Sequence, residues 1–186
     1  MKKLLAVLLL IFFLTGCTGA EQMMDKAISM REKLLSSQGC MFDAVITADY
    51  GEKLHKFSMR CQADAQGALS FTVSYPDTIA GITGTISAGE GKLTFDEHVL
   101  VFELLADGQV TPVSAPWLVI KTLRSGYLSA CGETENGYRI SIDDSYEEDA
   151  LHIDFWTTED VIPVYAEIVW QGRRILSMEI KNFTYL

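Results

Sequence analysis

Between residues 40 and 102 the chain alternates apolar and polar side chains with a period of two, and this limits the choice of fold more than any other feature of the sequence. In residues 54–61, Phe57, Met59 and Cys61 alternate with Lys56, Ser58 and Arg60. In residues 68–75, Leu69, Phe71, Val73 and Tyr75 alternate with Ser70, Thr72 and Ser74. A strand points successive side chains to opposite faces, so each segment offers one face to a core and one to water. Residues 41–48 read as a third strand, with turns at Tyr50-Gly51-Glu52 and Asp64-Ala65-Gln66-Gly67. Such alternation belongs to antiparallel sheets with one wet face. After Pro76-Asp77, residues 82–88, 92–95 and 99–104 continue as shorter strands, the first two joined through Gly89-Glu90-Gly91.

Two stretches change period. In residues 20–36, Met23, Met24, Ala27, Ile28, Met30, Leu34 and Leu35 recur at three- and four-residue spacing among Glu21, Asp25, Lys26, Arg31 and Lys33. That predicts an amphipathic helix, ended by Gln38-Gly39. Its methionines suit core packing or an adaptable binding face. In residues 114–130, Ser114 and Pro116 mark a helix start, and Trp117, Ile120, Leu123 and Tyr127 form an apolar stripe, weakened near its end by Gly126. Residues 106–112 read as a loop. Strands resume at 139–143, 151–156, 164–170 and 175–185, with Gln171-Gly172 as a hairpin turn. The expectation is one α+β domain over residues 20–186, whose inserted helix buries its stripe against the sheet.

The N-terminus sets the compartment. Lys2 and Lys3 precede an apolar run over residues 4–14, and Leu14-Thr15-Gly16-Cys17 closes it. The run is shorter than the roughly 20 residues a membrane-spanning helix needs. Residues 1–16 therefore read as a signal peptide, removed in the mature protein. The small residue before Cys17 resembles the lipobox of bacterial lipoproteins. That resemblance implies a diacylglyceryl thioether on Cys17, a short tether over residues 17–19, and a place on the extracytoplasmic face of the cell membrane. The other reading is a plain secretory signal in which Cys17 is incidental. Without Lys2 and Lys3 the chain keeps 13 Lys and Arg against 25 Asp and Glu. So acidic a chain excludes nucleic acid as a partner and a basic patch as the means of reaching anionic lipid. Membrane attachment then rests on the acyl chains, at about 0.8 kcal/mol per buried methylene.

Besides Cys17 there are Cys40, Cys61 and Cys131. A two-residue turn at Tyr50-Gly51 would set Cys40 opposite Cys61, close enough for a disulfide at a non-hydrogen-bonded pair. That pairing leaves Cys131 buried and unpaired. The alternative is three small buried thiols. The three histidines, His55, His98 and His152, are far apart in sequence, and His152 alternates with Leu151 and Ile153 onto the wet face. No spacing matches a zinc site. Residues 143–149 carry five carboxylates but lack the glycine and regular alternation of a calcium loop, so they read as a solvated hairpin tip. Gly89-Glu90-Gly91-Lys92 lacks the spacing and hydroxyl of a phosphate loop. No nucleophile motif is present. The expectation is no enzyme, no metal and no cofactor.

The order of elements over residues 20–186 resembles the LolA/LolB and LppX-like envelope lipoproteins: an amphipathic helix, a long meander, a helix near two thirds, and closing hairpins. The residues that carry the likeness are 39–75, 114–130, and Val161-Ile162-Pro163-Val164 leading into residues 165–185. It implies a strongly curved antiparallel half-barrel with both helices on its concave face, enclosing an apolar cavity for acyl chains. Two functions follow. One is a noncatalytic lipoprotein that binds a lipid or acyl chain, with Phe57, Met59, Phe71, Phe95, Trp117, Ile120, Phe155 and Trp170 as candidate lining residues. The other is a surface-bound interaction or sensor module in which the same residues fill the core, with an unidentified protein partner. A cavity of several hundred cubic ångströms favours the first and a filled interior the second.

Overall fold

The computed structural model describes residues 18–186 except 50, 52, 53, 88, 89, 96, 97, 104, 107 and 108. The expected signal peptide and lipidation site at Cys17 lie outside the described residues. Helix α1 (Thr18–Ser36) leads into β1 (Gly39–Asp49), β2 (Leu54–Asp64), β3 (Leu69–Tyr75), β4 (Thr83–Ser87), β5 (Glu90–Phe95) and β6 (His98–Glu103). A small hairpin, β7 (Leu105–Ala106) with β8 (Gln109–Val110), and a 3-10 turn at Pro112–Ser114 precede α2 (Ala115–Ser125). The chain ends with β9 (Tyr127–Thr134), β10 (Gly137–Asp143), β11 (His152–Thr157), β12 (Pro163–Trp170) and β13 (Arg173–Tyr185).

Eleven strands form one antiparallel sheet in the order β6-β5-β4-β3-β2-β1-β13-β12-β11-β10-β9. Two meanders thus meet where β13 pairs with β1. The sheet curves without closing, so the structure is the expected α+β half-barrel, with both helices on its concave face. Alternation decides that face. Cys40, Phe42, Ala44, Ile46 and Ala48 of β1 are buried, as are Met59, Cys61 and Ala63 of β2 across from them. Ile140, Ile142, Ile153, Phe155, Ala166, Ile168, Leu176 and Met178 continue this layer across the second meander.

Helix α2 is buried nearly all round, from Ala115 through Ile120 and again at Thr122 and Leu123. A helix with apolar residues on every side needs cover on every side, and α2 packs against β2, β10, β13 and α1. Among its described side chains, helix α1 buries Ala27, Met30 and Leu34 and leaves Ile28 and Leu35 exposed. Arg31 joins the two helices: its Nε donates to the Leu123 carbonyl at 2.8 Å and its Nη2 to the Gly126 carbonyl at 2.7 Å. A cation there satisfies carbonyls that a helix C-terminus leaves free.

Several sequence expectations need correction. The α2 helix stops at Ser125, not near residue 130, because Gly126 is extended and packs so closely that a Cβ would lie 2.6 Å from Ile142 Cγ2 and 2.7 Å from Thr122 Cγ2. Tyr127 leaves the helical stripe and begins the edge strand β9, opposite Asp143. Thr18 and Gly19 belong to α1 instead of forming a loose tether. The loop expected at residues 106–112 contains the β7–β8 hairpin and the 3-10 turn. In the first hairpin Asp49 pairs with Leu54, so four residues join the strands rather than two. Cys40 therefore faces Ala63 and Cys61 faces Phe42, and the expected disulfide gives way to two buried free thiols. Cys131 is free and half-buried.

Candidate functional site

The concave interior under α2 is filled. Met59, Phe71, Trp117, Ile120 and Phe155 are buried in one continuous core, with Phe57 and Trp170 packed against it. Phe95 lies on β5, and its side chain is outside the described residues. Of the candidate lining residues, Phe71 borders a more open hollow of about 380 Å³ across β2, β3 and β4, among mostly polar neighbours, and Trp170 stands at a second, more enclosed opening.

That opening is a cavity of about 370 Å³ at the rim where β1 ends and β12 turns into β13, lined by Asp49, Val110, Trp170, Gln171, Arg173, Ile175 and Leu176. Three local features build it. Gln171 and Gly172 have positive φ, 49° and 75°, which gives the tight turn that sets Trp170 opposite Arg173. The register then slips: Ile168 faces Leu176, yet Val169 faces Arg174, so Ile175 is the extra residue of a bulge. A bulge re-aims side chains locally, and here two successive residues, Ile175 and Leu176, border one cavity. Val110 of β8 supplies a wall from the far side and is itself buried.

The cavity has an apolar body of Val110, Trp170, Ile175 and Leu176, with Asp49, Gln171 and Arg173 as its polar residues. Arg173 Nη2 is 3.8 Å from Asp49 Oδ1, a loose pair between partly exposed groups. Exposed pairs of this kind contribute about 0–1 kcal/mol, so a ligand's polar end can compete for either partner. Its volume, several hundred cubic ångströms, is that of a small-molecule site, and its wall is shared almost evenly between apolar and polar surface.

A second cluster lies on the outer face, across β10 and β11. Asp154 has a side chain only 6% exposed and accepts from Arg139 Nη2 at 2.6 Å and from Ser141 Oγ at 2.6 Å. His152 holds Asp143 Oδ1 at 2.6 Å from Nδ1 and Asp154 Oδ1 at 3.4 Å from Nε2. Arg139 also stacks on Trp156, 5.4 Å from the ring centroid. Ser141 donates to a carboxylate and not to the imidazole, so Ser141, His152 and Asp154 do not form a nucleophile and base pair. The acidic segment 143–149 is a hairpin tip, as its composition predicts, and Asp144 Oδ1 accepts the Leu151 N–H at 2.8 Å. No group of three or more His, Cys, Asp or Glu among the described residues is placed to hold a metal ion. Burial pushes the thiol pKa of Cys40 up to about 12 and raises that of Cys61 further. Both stay protonated and poorly nucleophilic at neutral pH.

Sequence reasoning located Trp170 and the Gln171-Gly172 turn but missed the other lining residues. Asp49, Val110 and Arg173 come from three separate stretches, and only the turn dipeptide between Trp170 and Arg173 signalled that two of the lining residues would face each other.

No protein-family model matches the chain, and neither does any curated protein. Solved structures do. A Vibrio parahaemolyticus domain described as an outer membrane lipoprotein-sorting protein matches with a TM-score of 0.51 at 9% identity, over 90% of this chain and 93% of that one. A LolA superfamily protein from Nitrosomonas europaea gives 0.44 at 8% identity, covering 85% and 92%. The lipoprotein LppX of Mycobacterium tuberculosis gives 0.44 at 11% identity, covering 88% and 93%. With the first of these the chain shares its fold, the LolA-like half-barrel.

Proposed function

We propose that this chain is a membrane-anchored extracytoplasmic lipoprotein, without catalytic activity, that holds a lipid or another acyl-bearing molecule in the rim cavity beside Trp170. The observation that carries the reading is that cavity, apolar in its body and polar at Asp49, Gln171 and Arg173. The proposed organisation is a signal peptide over residues 1–16, a lipidated Cys17, and a single domain from residue 20 onward, preceded directly by the first turn of α1. The named roles of the fold's relatives agree with the proposal without carrying it. No cofactor or metal enters it.

Native mass spectrometry of the full chain, released gently from membranes, tests the ligand: a co-purifying lipid supports it. Trp170→Ala should keep the fold and weaken binding of a fluorescent fatty acid, because it removes the largest apolar wall. A wild type that binds no such probe and carries no lipid rejects the proposal. The filled core under α2 favours the second reading, an interaction or sensor module, and that result would leave it standing.

Anchoring is tested separately. Cys17→Ser should abolish fatty-acid labelling and leave an uncleaved or mislocalised precursor, since only a thiol forms the thioether. A variant that is still cleaved, labelled and membrane-bound defeats the lipobox assignment.

A further inference from the structure

We propose that the lipid held at the rim is a single-chain phospholipid with a zwitterionic head, its phosphate on Arg173 and its ammonium on Asp49. This rests on the reading of the rim cavity as a lipid site and adds the class of lipid. Two properties of the cavity carry it, its size and its one pair of opposite charges.

At about 370 Å³ the cavity is near the lower end of the range for small-molecule sites, roughly 300–1,000 Å³. One acyl chain fits beside Val110, Trp170 and Ile175, and a second would have to lie in water. A lipid with two chains therefore leaves apolar surface exposed where a lipid with one does not.

The charges select the head. Among the described lining residues Arg173 is the one cation and Asp49 the one anion. Neighbouring Arg174 is already engaged, with Nη1 donating to Glu167 Oε1 at 2.7 Å. Arg173 makes no hydrogen bond to another described residue, and Asp49 at 3.8 Å is its loose ion-pair partner. Its fork of N–H donors is thus open to a phosphate, which a guanidinium binds through two parallel bonds. Asp49 is held through one oxygen: Oδ1 accepts the Gly51 N–H at 2.8 Å. Its Oδ2 is left to accept from an ammonium N–H. A head with a phosphate alone would draw Arg173 away and set two negative charges side by side, and a head with an ammonium alone would do the same with two positive ones. A head with both leaves every charge paired. Such a head is neutral overall, so a chain of net charge -10 does not repel it. A fatty acid still fits by its chain, but it leaves Asp49 without a partner.

The test offers the full chain, released gently from membranes, an equimolar mixture of two monoacyl phospholipids with the same chain, one with an ethanolamine head and one with a glycerol head. Both have the phosphate and only the first has the ammonium, and their adducts separate by mass in one native spectrum. The ethanolamine lipid should be favoured about tenfold or more, as expected for one hydrogen bond between charged groups. Asp49→Asn, which keeps an oxygen for the Gly51 N–H, should bring the ratio near one, and Arg173→Gln should weaken both adducts. A diacyl lipid with the ethanolamine head should compete poorly. Equal adducts on the wild type, a preference that survives Asp49→Asn, Arg173→Gln without effect, or equal uptake of the diacyl lipid overturns the proposal. If the wild type then still binds the fluorescent fatty acid and Trp170→Ala weakens that binding, the lipid reading of the cavity stands without it. With no adduct and no fatty-acid binding, both fall.

Discussion

Trp117→Ala is expected to cost the fold about 3–5 kcal/mol and to leave binding at the rim cavity unchanged. Trp117 sits in the first turn of α2, buried with Leu118, Val119 and Ile120, and Lys121 Nζ lies 5.5 Å from its ring centroid. The residue is absent from the cavity wall, which takes its tryptophan from β12. Truncation therefore opens a void within a filled core, where cost rises by about 24 cal/mol for each cubic ångström left empty. Chemical denaturation gives the stability, and titration with a fluorescent fatty acid gives the affinity. The pair of variants divides the two readings of the interior. Trp117→Ala should lose stability and keep the probe, while Trp170→Ala should do the reverse. If Trp117→Ala loses the probe at a cost well under 2 kcal/mol, the ligand lies beneath α2, and the filled-core description is wrong.

The second large effect is expected at Asp154. Its environment has opposing influences: burial raises the carboxyl pKa, and hydrogen bonds from Arg139 and Ser141 more than offset this, holding it below the usual aspartate value. A carboxyl whose pKa is lower in the folded state stabilises the fold above the unfolded pKa of about 3.9, and that contribution fades as pH falls through the folded value. Asp154→Asn keeps the size and removes the charge. It should cost about 1.5–3 kcal/mol at pH 7, the range for hydrogen bonds to charged groups. The deficit against wild type should shrink as the pH is taken below 4, because the unfolded wild-type carboxyl takes up its proton there first and the folded one follows only at its lower pKa. Urea denaturation of both proteins at pH 7 and pH 3 reads this directly. An equal deficit at both values would mean that Asp154 contributes by shape and not by charge.

The sheet was legible because alternation is a local property, written into residues 54–75 without reference to anything distant. Register was not, because it depends on turn length, and the step from two residues to four moved Cys61 from Cys40 to Phe42. The helix end was misread for a related reason: Tyr127 follows Leu123 at helical spacing, and only the contact of Gly126 with Ile142 shows why the chain must turn there. His152 on the wet face was readable from alternation. The burial of Asp154 was not, since the partners that hold it, Arg139 and Ser141, come from β10 across the sheet. The rim cavity was the least legible part. It depends on a one-residue bulge in β13 and on Val110, whose short strand has no alternation to reveal it.

The junction of β1 with β13 has a consequence for how the molecule is made. Asn182 reaches Asp43 across 139 residues of chain, with Nδ2 donating to Oδ2 at 2.8 Å. Pairings so remote in sequence form slowly, because their loop-closure entropy falls due before any contact repays it. During synthesis, or passage through a pore with the N-terminus leading, β1 waits for a partner that arrives last. The first meander can form hairpins early, yet its inner strand stays unpaired on one side until the final thirteen-residue strand emerges. The arrival of β13, more than any local segment, is then the event that creates the half-barrel.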